Sequence, residues 1–395
     1  MLDLVSAVFS LISISILSAN SAVVTLAYLS RSRPVEVYPE NLYEYPEVTI
    51  VVPAYRERSS IHHVLQSLKE VRYPRDKLKV VVVGESDDIE TYREISKFCK
   101  AGNQLLNCGE VVGIYIENSS GVRGKPAALN YALRYINTDI LAVYDAEDTI
   151  HPDHVLTAVK ILEDSDVVAV QFIREVANTS SKLSKAQIAD FYFFYEVFQP
   201  YIAHKTGLAE VCGSAFFIKV PHLVSIGGFN ISSPTEDLDL TYRIGARRWK
   251  VVLAYPPSTT RPISRFSSLV KQRARWIRGG ILSISVGLRA VPRSIPLLLI
   301  TGFTPIAAIT STIAVAVGFA GLLLGFEMTL FRRVILVLAA VCVLGSTPVV
   351  LANPGGRSAL KYLAVMSAVY YLAIWRAVFE LLTAPRSWTK SDFKA

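Results

Sequence analysis

From Leu4 to Ser30 the chain carries no charged side chain. At about 1.5 Å per helical residue, such a run crosses a hydrocarbon core of roughly 30 Å, so residues 1–30 are expected to form a transmembrane anchor. Small residues at Ser18, Ala19, Ser21 and Ala22 would suit a cleaved signal peptide, but the run outlasts an ordinary h-region and no basic segment precedes it. Ser294 to Phe326 and Val334 to Ala352 are likewise uncharged, and Ala359 to Leu382 is broken only by Lys361, Arg376 and Glu380. With 51% hydrophobic and 19% charged residues, the chain is too apolar for disorder or for an ordinary soluble domain.

Charge sets the expected orientation. Basic residues exceed acidic ones, 41 to 33, yet Thr259 to Arg293 alone holds Arg261, Arg265, Lys271, Arg273, Arg275, Arg278, Arg289 and Arg293 with no acid. The excess is local, which argues against a nucleic-acid-binding surface. With Arg31 and Arg33 it flanks the central region, and the positive-inside rule places residues 31–293 in the cytoplasm, making this an integral protein of the cytoplasmic membrane. Three C-terminal crossings leave Arg332, Arg333, Arg386, Lys390 and Lys394 outside; four, with a break near Gly302 and Pro305, bring the tail back. Both counts stay open. The expected division is an anchor over 1–30, a soluble domain over 46–263, an amphipathic interfacial segment over 264–293, a membrane bundle over 294–383 and a tail over 384–395. Cys99, Cys108, Cys212 and Cys342 form no C-x-x-C pair, so neither a zinc ribbon nor a redox motif is supported.

Within the soluble domain, apolar runs alternate with helical patterns. Val48–Val52, Leu78–Val83, Val111–Ile116 and Ile140–Tyr144 read as strands; Ile61–Val71, capped by Ser60, and Ala127–Ile136 read as helices. Strand and helix in alternation imply an α/β domain with a parallel sheet, and ligands of such sheets sit beyond the carboxyl ends of the strands. The polar segments Pro53-Ala54-Tyr55-Arg56-Glu57, Gly84-Glu85-Ser86-Asp87-Asp88 and Asp145-Ala146-Glu147-Asp148 follow three of those ends. Carboxylates gathered there repel one another unless a cation intervenes, and hard oxygen donors suit Mg²⁺ or Mn²⁺ with a diphosphate. Gly121 to Pro126 lacks the first glycine and the Ser/Thr of a Walker loop, and no G-x-G-x-x-G opens a helix. His151 and His154 lack a third ligand, and Pro152 reads as a helix-start residue. The Asn118-Ser119-Ser120 sequon would go unused in the cytoplasm, and the aromatic run Phe191 to Tyr195 reads as helix packing.

In sum these segments resemble the membrane-integrated glycosyltransferases of family 2, the group of cellulose, chitin and hyaluronan synthases, over roughly residues 46–280. Val51 to Glu57 is similar to V-P-x-Y-N-E with Arg56 in place of asparagine, and Gly124 to Asn130 to G-K-x-x-A-L-N. Asp145 to Asp148 matches the D-x-D position, Thr235-Glu236-Asp237 the T-E-D, and Gln272 to Trp276 the Q-x-x-R-W. The resemblance implies a GT-A-type, Rossmann-like domain with a nucleotide-sugar site at Pro53, Ala54, Tyr55, Glu57, Glu85, Lys125 and Asp145. It further implies metal ligation by Asp145 and Glu147, base catalysis by Asp237 beside Glu236, and acceptor or diphosphate contacts from Gln272, Arg273, Arg275 and Trp276. A UDP-sugar is the expected donor, although Glu85 stands where relatives carry the aspartates of D-D-G-S. A helix beginning near Asp237 would favour its anionic form. The expected reaction is inverting, metal-dependent transfer to a growing polysaccharide or a glycolipid. The rivals are single transfer to polyprenyl phosphate or glycolipid and a non-catalytic nucleotide-sugar-binding scaffold; a transporter would need paired broken helices, which the sequence lacks.

Overall fold

The computed structural model describes residues 1–383 except 38–41, 43, 86, 99, 103–104, 109–110, 119, 179 and 353–359. Ser86, Cys99, Ser119 and the tail over 384–395 with its basic residues thus lie outside the described residues. Nine strands form one mixed sheet: β1 (Val48–Pro53), β2 (Leu78–Gly84), β3 (Lys100–Gly102), β4 (Leu105–Cys108), β5 (Val111–Glu117), β6 (Ile140–Val143), β7 (Val167–Val176), β8 (Phe216–Lys219) and β9 (Lys250–Thr260). Their order is β3-β4-β5-β2-β1-β6-β8-β7-β9. The four expected strands are its parallel centre, with Val51 of β1 opposite Val81 on one side and Val143 on the other. Their carboxyl ends are therefore level, and the three acidic segments leave the sheet along one edge.

Side chains alternate across the pleat. Val48, Ile50 and Val52 pack with α2 (Ile61–Leu68) and α5 (His154–Leu162), while Val51, Val81 and Val83 pack with α4 (Lys125–Ala132) and α9 (Glu236–Ala246). The remaining helices of the domain are α3 (Ile89–Phe98), α6 (Lys182–Tyr192), α7 (Gln199–Thr206) and α8 (Val220–Ser225), a π-helical stretch over Phe193–Phe198 joining α6 to α7. Three expectations change in detail. Ser60 occupies the N-cap of α2, but its hydroxyl donates to the Glu57 carboxylate instead of accepting from the helix. Pro152 precedes the N-cap, which is Asp153. His154 is a core residue: Nδ1 accepts from Tyr144 Oη (2.7 Å) and the His151 N–H (3.2 Å), so Nε2 donates to Pro256 O (3.0 Å). Burial pushes its pKa down to about 3 and keeps it neutral.

Four helices among the described residues are long and apolar enough to cross a membrane: Leu2–Ser30, Ile295–Leu323, Thr329–Val349 and Lys361–Thr383. The first is α1 (Leu2–Ser30); the others are built from α12 (Ile295–Leu298), α13 (Thr304–Leu323), α14 (Thr329–Ala352) and α15 (Leu360–Thr383), after α10 (Phe266–Leu282) and α11 (Ile284–Leu288). The run near Gly302 and Pro305 does not break into two crossings, because a π turn over Leu299–Phe303 carries α12 continuously into α13. This favours three candidate spans after the domain over four. Along α1, Ser6, Ser13 and Asn20 recur every seven residues and meet α13 in reverse order, through Ala314 O (2.8 Å), Thr310 Oγ1 (2.7 Å) and Thr304 Oγ1 (2.7 Å). Hydrogen bonds between polar side chains hold apolar helices together where burial alone gives no preference. Beyond α1, Val35 bonds the backbone of Leu253 and Tyr255, fastening the helix to the β9 edge.

α10 is a helix as expected, but its charge is not all at the surface. Arg273 and Arg278 are buried, paired with Asp190 (2.9 Å) and Glu380 (3.4 Å), so α10 is clamped between α6 and α15.

Candidate active site

At the end of β1 the chain turns sharply: Arg56 has φ 57°, and its N–H donates to Asp88 Oδ2. The same aspartate accepts from the Thr91 N–H at 3.3 Å, and Thr91 Oγ1 accepts from the Glu57 N–H at 2.8 Å, so the loops after β1 and β2 are tied together. Glu85 accepts from Asn118 Nδ2 at 3.0 Å, and burial pushes its pKa upward.

The segment Asp145-Ala146-Glu147-Asp148 beyond β6 divides its work. Asp145 and Glu147 face a cavity, whereas Asp148 is fully buried and bonded by Arg174 Nη2 at 2.9 and 2.8 Å and by the Ser214 hydroxyl. Ser214 Oγ also accepts from the Asp145 N–H at 2.8 Å. Asp148 and Arg174 therefore set the backbone from which Asp145 projects.

Gly124 caps α4 at φ 116°, a conformation open to glycine, and Pro126 fits the first turn, where no amide donor is needed. This places Lys125 over the sheet edge. Its ammonium donates to Asp145 Oδ1 and to Gly213 O (2.6 Å) and lies 3.9 Å from Glu236 Oε1. Burial works against the Lys125 charge, but Asp145, Glu236 and Asp237 outweigh it and hold the pKa above the ordinary lysine value. Burial likewise opposes the Asp145 charge, and Lys125 and Arg174 outweigh it, holding that carboxyl low.

Asp237 sits in the first turn of α9, with Oδ1 accepting from the Leu238 N–H at 2.9 Å. The helix start does favour the anion, but burial is the larger effect, and with Lys125 pulling the other way the Asp237 pKa still ends above the usual carboxylate range. Its neighbour Glu236 is pushed up to about 7, by burial first and Asp237 second. The two acids share one charge-limited environment and titrate as a pair. Arg275 reaches them from α10, anchored by its Nη1 on Pro234 O (3.1 Å).

Pro53, Ala54, Tyr55, Glu57, Glu85, Lys125, Asp145, Glu147, Glu236 and Asp237 all line one cavity of about 1060 Å³, joined by Gln272, Arg275 and Trp276. Arg273 is not among the lining residues; its guanidinium stacks 4.0 Å over the Trp276 ring and points to Asp190. The cavity continues past Asp237 between the membrane helices to Asn20, Thr301, Thr304, Val341 and Ile374. Phe191, Phe193, Phe194 and Tyr195 pack in the core and also line this space, so the aromatic run does both. Among the described residues no group of three His, Cys, Asp or Glu is disposed to hold a metal. Asp145 and Glu147 supply two hard oxygen donors, which fits a cation whose remaining ligands arrive with a diphosphate.

Sequence reading passed over Arg174, Glu210, Gly213 and Asn20. Arg174 had a signal, a charge inside the apolar run of β7, as did Asn20 within the first span. Glu210 and Gly213 had none.

Residues 46–279, more than half of the chain, match the family described as Glycosyltransferase like family 2. Among curated proteins, the chain is 28% identical over 251 residues to the beta-monoglucosyldiacylglycerol synthase of Trichormus variabilis, covering 63% of this chain and 52% of that protein. It is 26% identical to a probable glucomannan 4-beta-mannosyltransferase of Arabidopsis thaliana, covering 62% and 44%. The chain thus spans about half the length of the curated relatives it matches. Among solved structures, the mannosyltransferase PcManGT from Pyrobaculum calidifontis, in complex with GDP-Man and Mn²⁺, superposes with a TM-score of 0.66 at 21% identity, covering 95% of this chain and 99% of that one. That likeness establishes a GT-A fold.

Proposed function

The chain belongs to the glycosyltransferase-like family 2, and from that premise we propose that it moves a hexose, with inversion, from a nucleoside-diphosphate donor to a lipid acceptor held in the membrane. The observation that carries this reading is the single cavity running from the Asp145 and Asp237 carboxylates to the membrane helices. A hydroxyl of a membrane-embedded acceptor can reach the base without leaving the bilayer. The relative named as a glycolipid synthase supports the same class of acceptor.

Asp237 accepts the proton of the acceptor hydroxyl as its oxygen attacks the anomeric carbon; the bond to the diphosphate breaks on the opposite face, and the nucleoside diphosphate leaves. Lys125 and Arg275 stand where they offset charge growing on that leaving group. A divalent cation, Mg²⁺ or Mn²⁺, held by Asp145 and Glu147 would supply further neutralisation of the diphosphate. Tyr55, Glu57 and Glu85 bound the end of the cavity that suits the nucleoside. The basic residues flanking the domain, Arg31 and Arg33 before it and the run to Arg293 after it, support a cytoplasmic face for this chemistry.

Gln272 and Trp276 on the cavity wall favour a second reading, extension of a polysaccharide, because a flat indole suits a sugar ring. Purified protein incubated with a panel of nucleotide sugars and Mn²⁺ is expected to release nucleoside diphosphate. Asp237→Asn should abolish release while donor binding persists, and unchanged turnover in that variant removes Asp237 from the mechanism. One discrete product separates lipid transfer from the ladder of a polymerase.

A further inference from the structure

Glu210 takes no part in the chemistry above, yet its backbone is held firmly between α7 and β8. Its N–H donates to Gln199 Oε1 (2.9 Å), and its carbonyl accepts from Gln199 Nε2 (3.3 Å) and Cys212 Sγ (3.3 Å). The side chain enters the cavity, where Oε2 is buried without a hydrogen-bond partner. Burial, then the neighbouring Asp237, pushes its pKa well above the ordinary value, which favours the protonated acid, able to donate as well as accept. Of the groups around it, Cys212, Tyr195 and Tyr242 add no positive charge, and Arg174 is committed to Asp148.

A second orphan faces the same space from the membrane side. Asn20 is 7% exposed; its Nδ2 donates to Thr304 Oγ1, leaving Oδ1 buried without a partner. Thr301, three residues before Thr304, lines the same cavity and is paired with Tyr242 Oη at 3.1 Å. Buried polar atoms in native folds are almost always satisfied, so Glu210 Oε2 and Asn20 Oδ1, two of five such atoms on the lining residues beside Arg174 Nε, Thr235 Oγ1 and Arg275 Nε, mark a place where a ligand supplies the missing bonds. The charge pattern narrows what that ligand is. Every cation lining the cavity comes from the soluble domain or α10, and no charged lining residue comes from the membrane helices among the described residues. An anionic headgroup there would have to compete with the donor diphosphate for Lys125 and Arg275, the cations beside Asp237.

We propose that Glu210, Thr301 and Asn20 form the acceptor subsite, and that its occupant is the uncharged, hydroxyl-bearing headgroup of a lipid, presented with one hydroxyl toward Asp237 and its chains among Val341, Ile374 and their neighbours. The assignment rests on the transferase reading but is tested separately from it. Native mass spectrometry of the full chain in detergent micelles doped with dioleoylglycerol or with undecaprenyl phosphate is the first measurement. Dioleoylglycerol is expected to stay bound, and Asn20→Leu and Glu210→Ala each to weaken it about tenfold, the cost of roughly one buried hydrogen bond. Glu210→Gln, which mimics the neutral acid, should bind within about twofold of the unaltered chain. Donor affinity by calorimetry should move less than twofold in all three. Retention of undecaprenyl phosphate alone, of neither lipid, or equal binding by all variants overturns the subsite. A chain that binds dioleoylglycerol as described but releases nucleoside diphosphate from no donor keeps the subsite and refutes the transferase.

Discussion

Gly213 lies so close to Asp237 that a methyl group on the glycine would stand 2.7 Å from carboxylate Oδ2 and 3.3 Å from the Lys125 ammonium. The residue also has φ +75°, where a side chain is strained. The loop before β8 therefore delivers bare backbone to the base, and its carbonyl takes a bond from Lys125. Gly213→Ala should displace Asp237 and lower kcat by about a hundredfold, since small misplacements of reacting groups carry that penalty, while costing only about 1 to 2 kcal/mol of stability. Steady-state kinetics beside thermal unfolding checks it, and kcat unchanged by the methyl group would contradict the packing.

Activity and stability should run in opposite directions with pH. Under the proposed mechanism Asp237 acts as an anion, and it is held above the usual carboxylate range beside Glu236, itself pushed up to about 7. The kcat profile should thus lose activity on the acid side at a pH above the usual carboxylate range, and Lys125→Met, which removes the cation that holds Asp237 down, should move that limb to higher pH. For stability the sign reverses. A carboxyl whose pKa is raised by folding binds its proton more tightly folded than unfolded, so its contribution is full below about pH 4.5 and is lost as pH rises toward 7. Melting temperatures measured from pH 5 to 7.5 without ligand should fall, and fall less in Glu236→Gln.

The two arginines of Gln272 to Trp276 should separate by phenotype. Arg275 lines the cavity beside both acids, and Arg275→Ala should cut kcat by about a hundredfold with little change in melting temperature. Arg273 is sealed between Asp190 and the Trp276 ring. Arg273→Ala should cost about 3 kcal/mol by leaving a carboxylate without its buried partner. Equal effects of the two on melting temperature would undo the distinction.

Asp148→Ala should be among the most destabilising changes near the site, about 3 kcal/mol, because Arg174 would lose its buried partner and keep only Asp145 at 4.0 Å. Double replacement, Asp148→Ala with Arg174→Met, should recover part of that loss. A double-mutant cycle read by denaturation measures the coupling.

The strands that carry Pro53, Gly84 and Val143 were legible because each is a short apolar run closed by polar residues, and parallel pairing then puts their ends level. β3, β4, β7, β8 and β9 escaped: the antiparallel β3, β4 and β8 are only three or four residues long, and the longer β7 and β9 break their apolar runs at Gln171, Arg174 and Pro256-Pro257. Asp145 and Glu147 could be read from their motif, but that Asp148 turns inward could not: its direction depends on Arg174 and Ser214, distant in sequence. Glu210 was invisible for the same reason, as only the approach of α9 brings Asp237 beside it. The helix-start argument for Asp237 named a real effect and missed the larger one, because burial is a property of the assembled fold.

The polar seam of Ser6, Ser13 and Asn20 makes α1 part of the reaction vessel and not merely its mooring. A foreign hydrophobic segment spliced in its place would still tether the enzyme to lipid, yet would leave one wall breached where Leu17, Asn20 and Val24 now stand. A chain trimmed of its first thirty residues would still hold the three later candidate spans, and under the proposed mechanism it would be expected to keep its grip on the donor and leak the sugar to water.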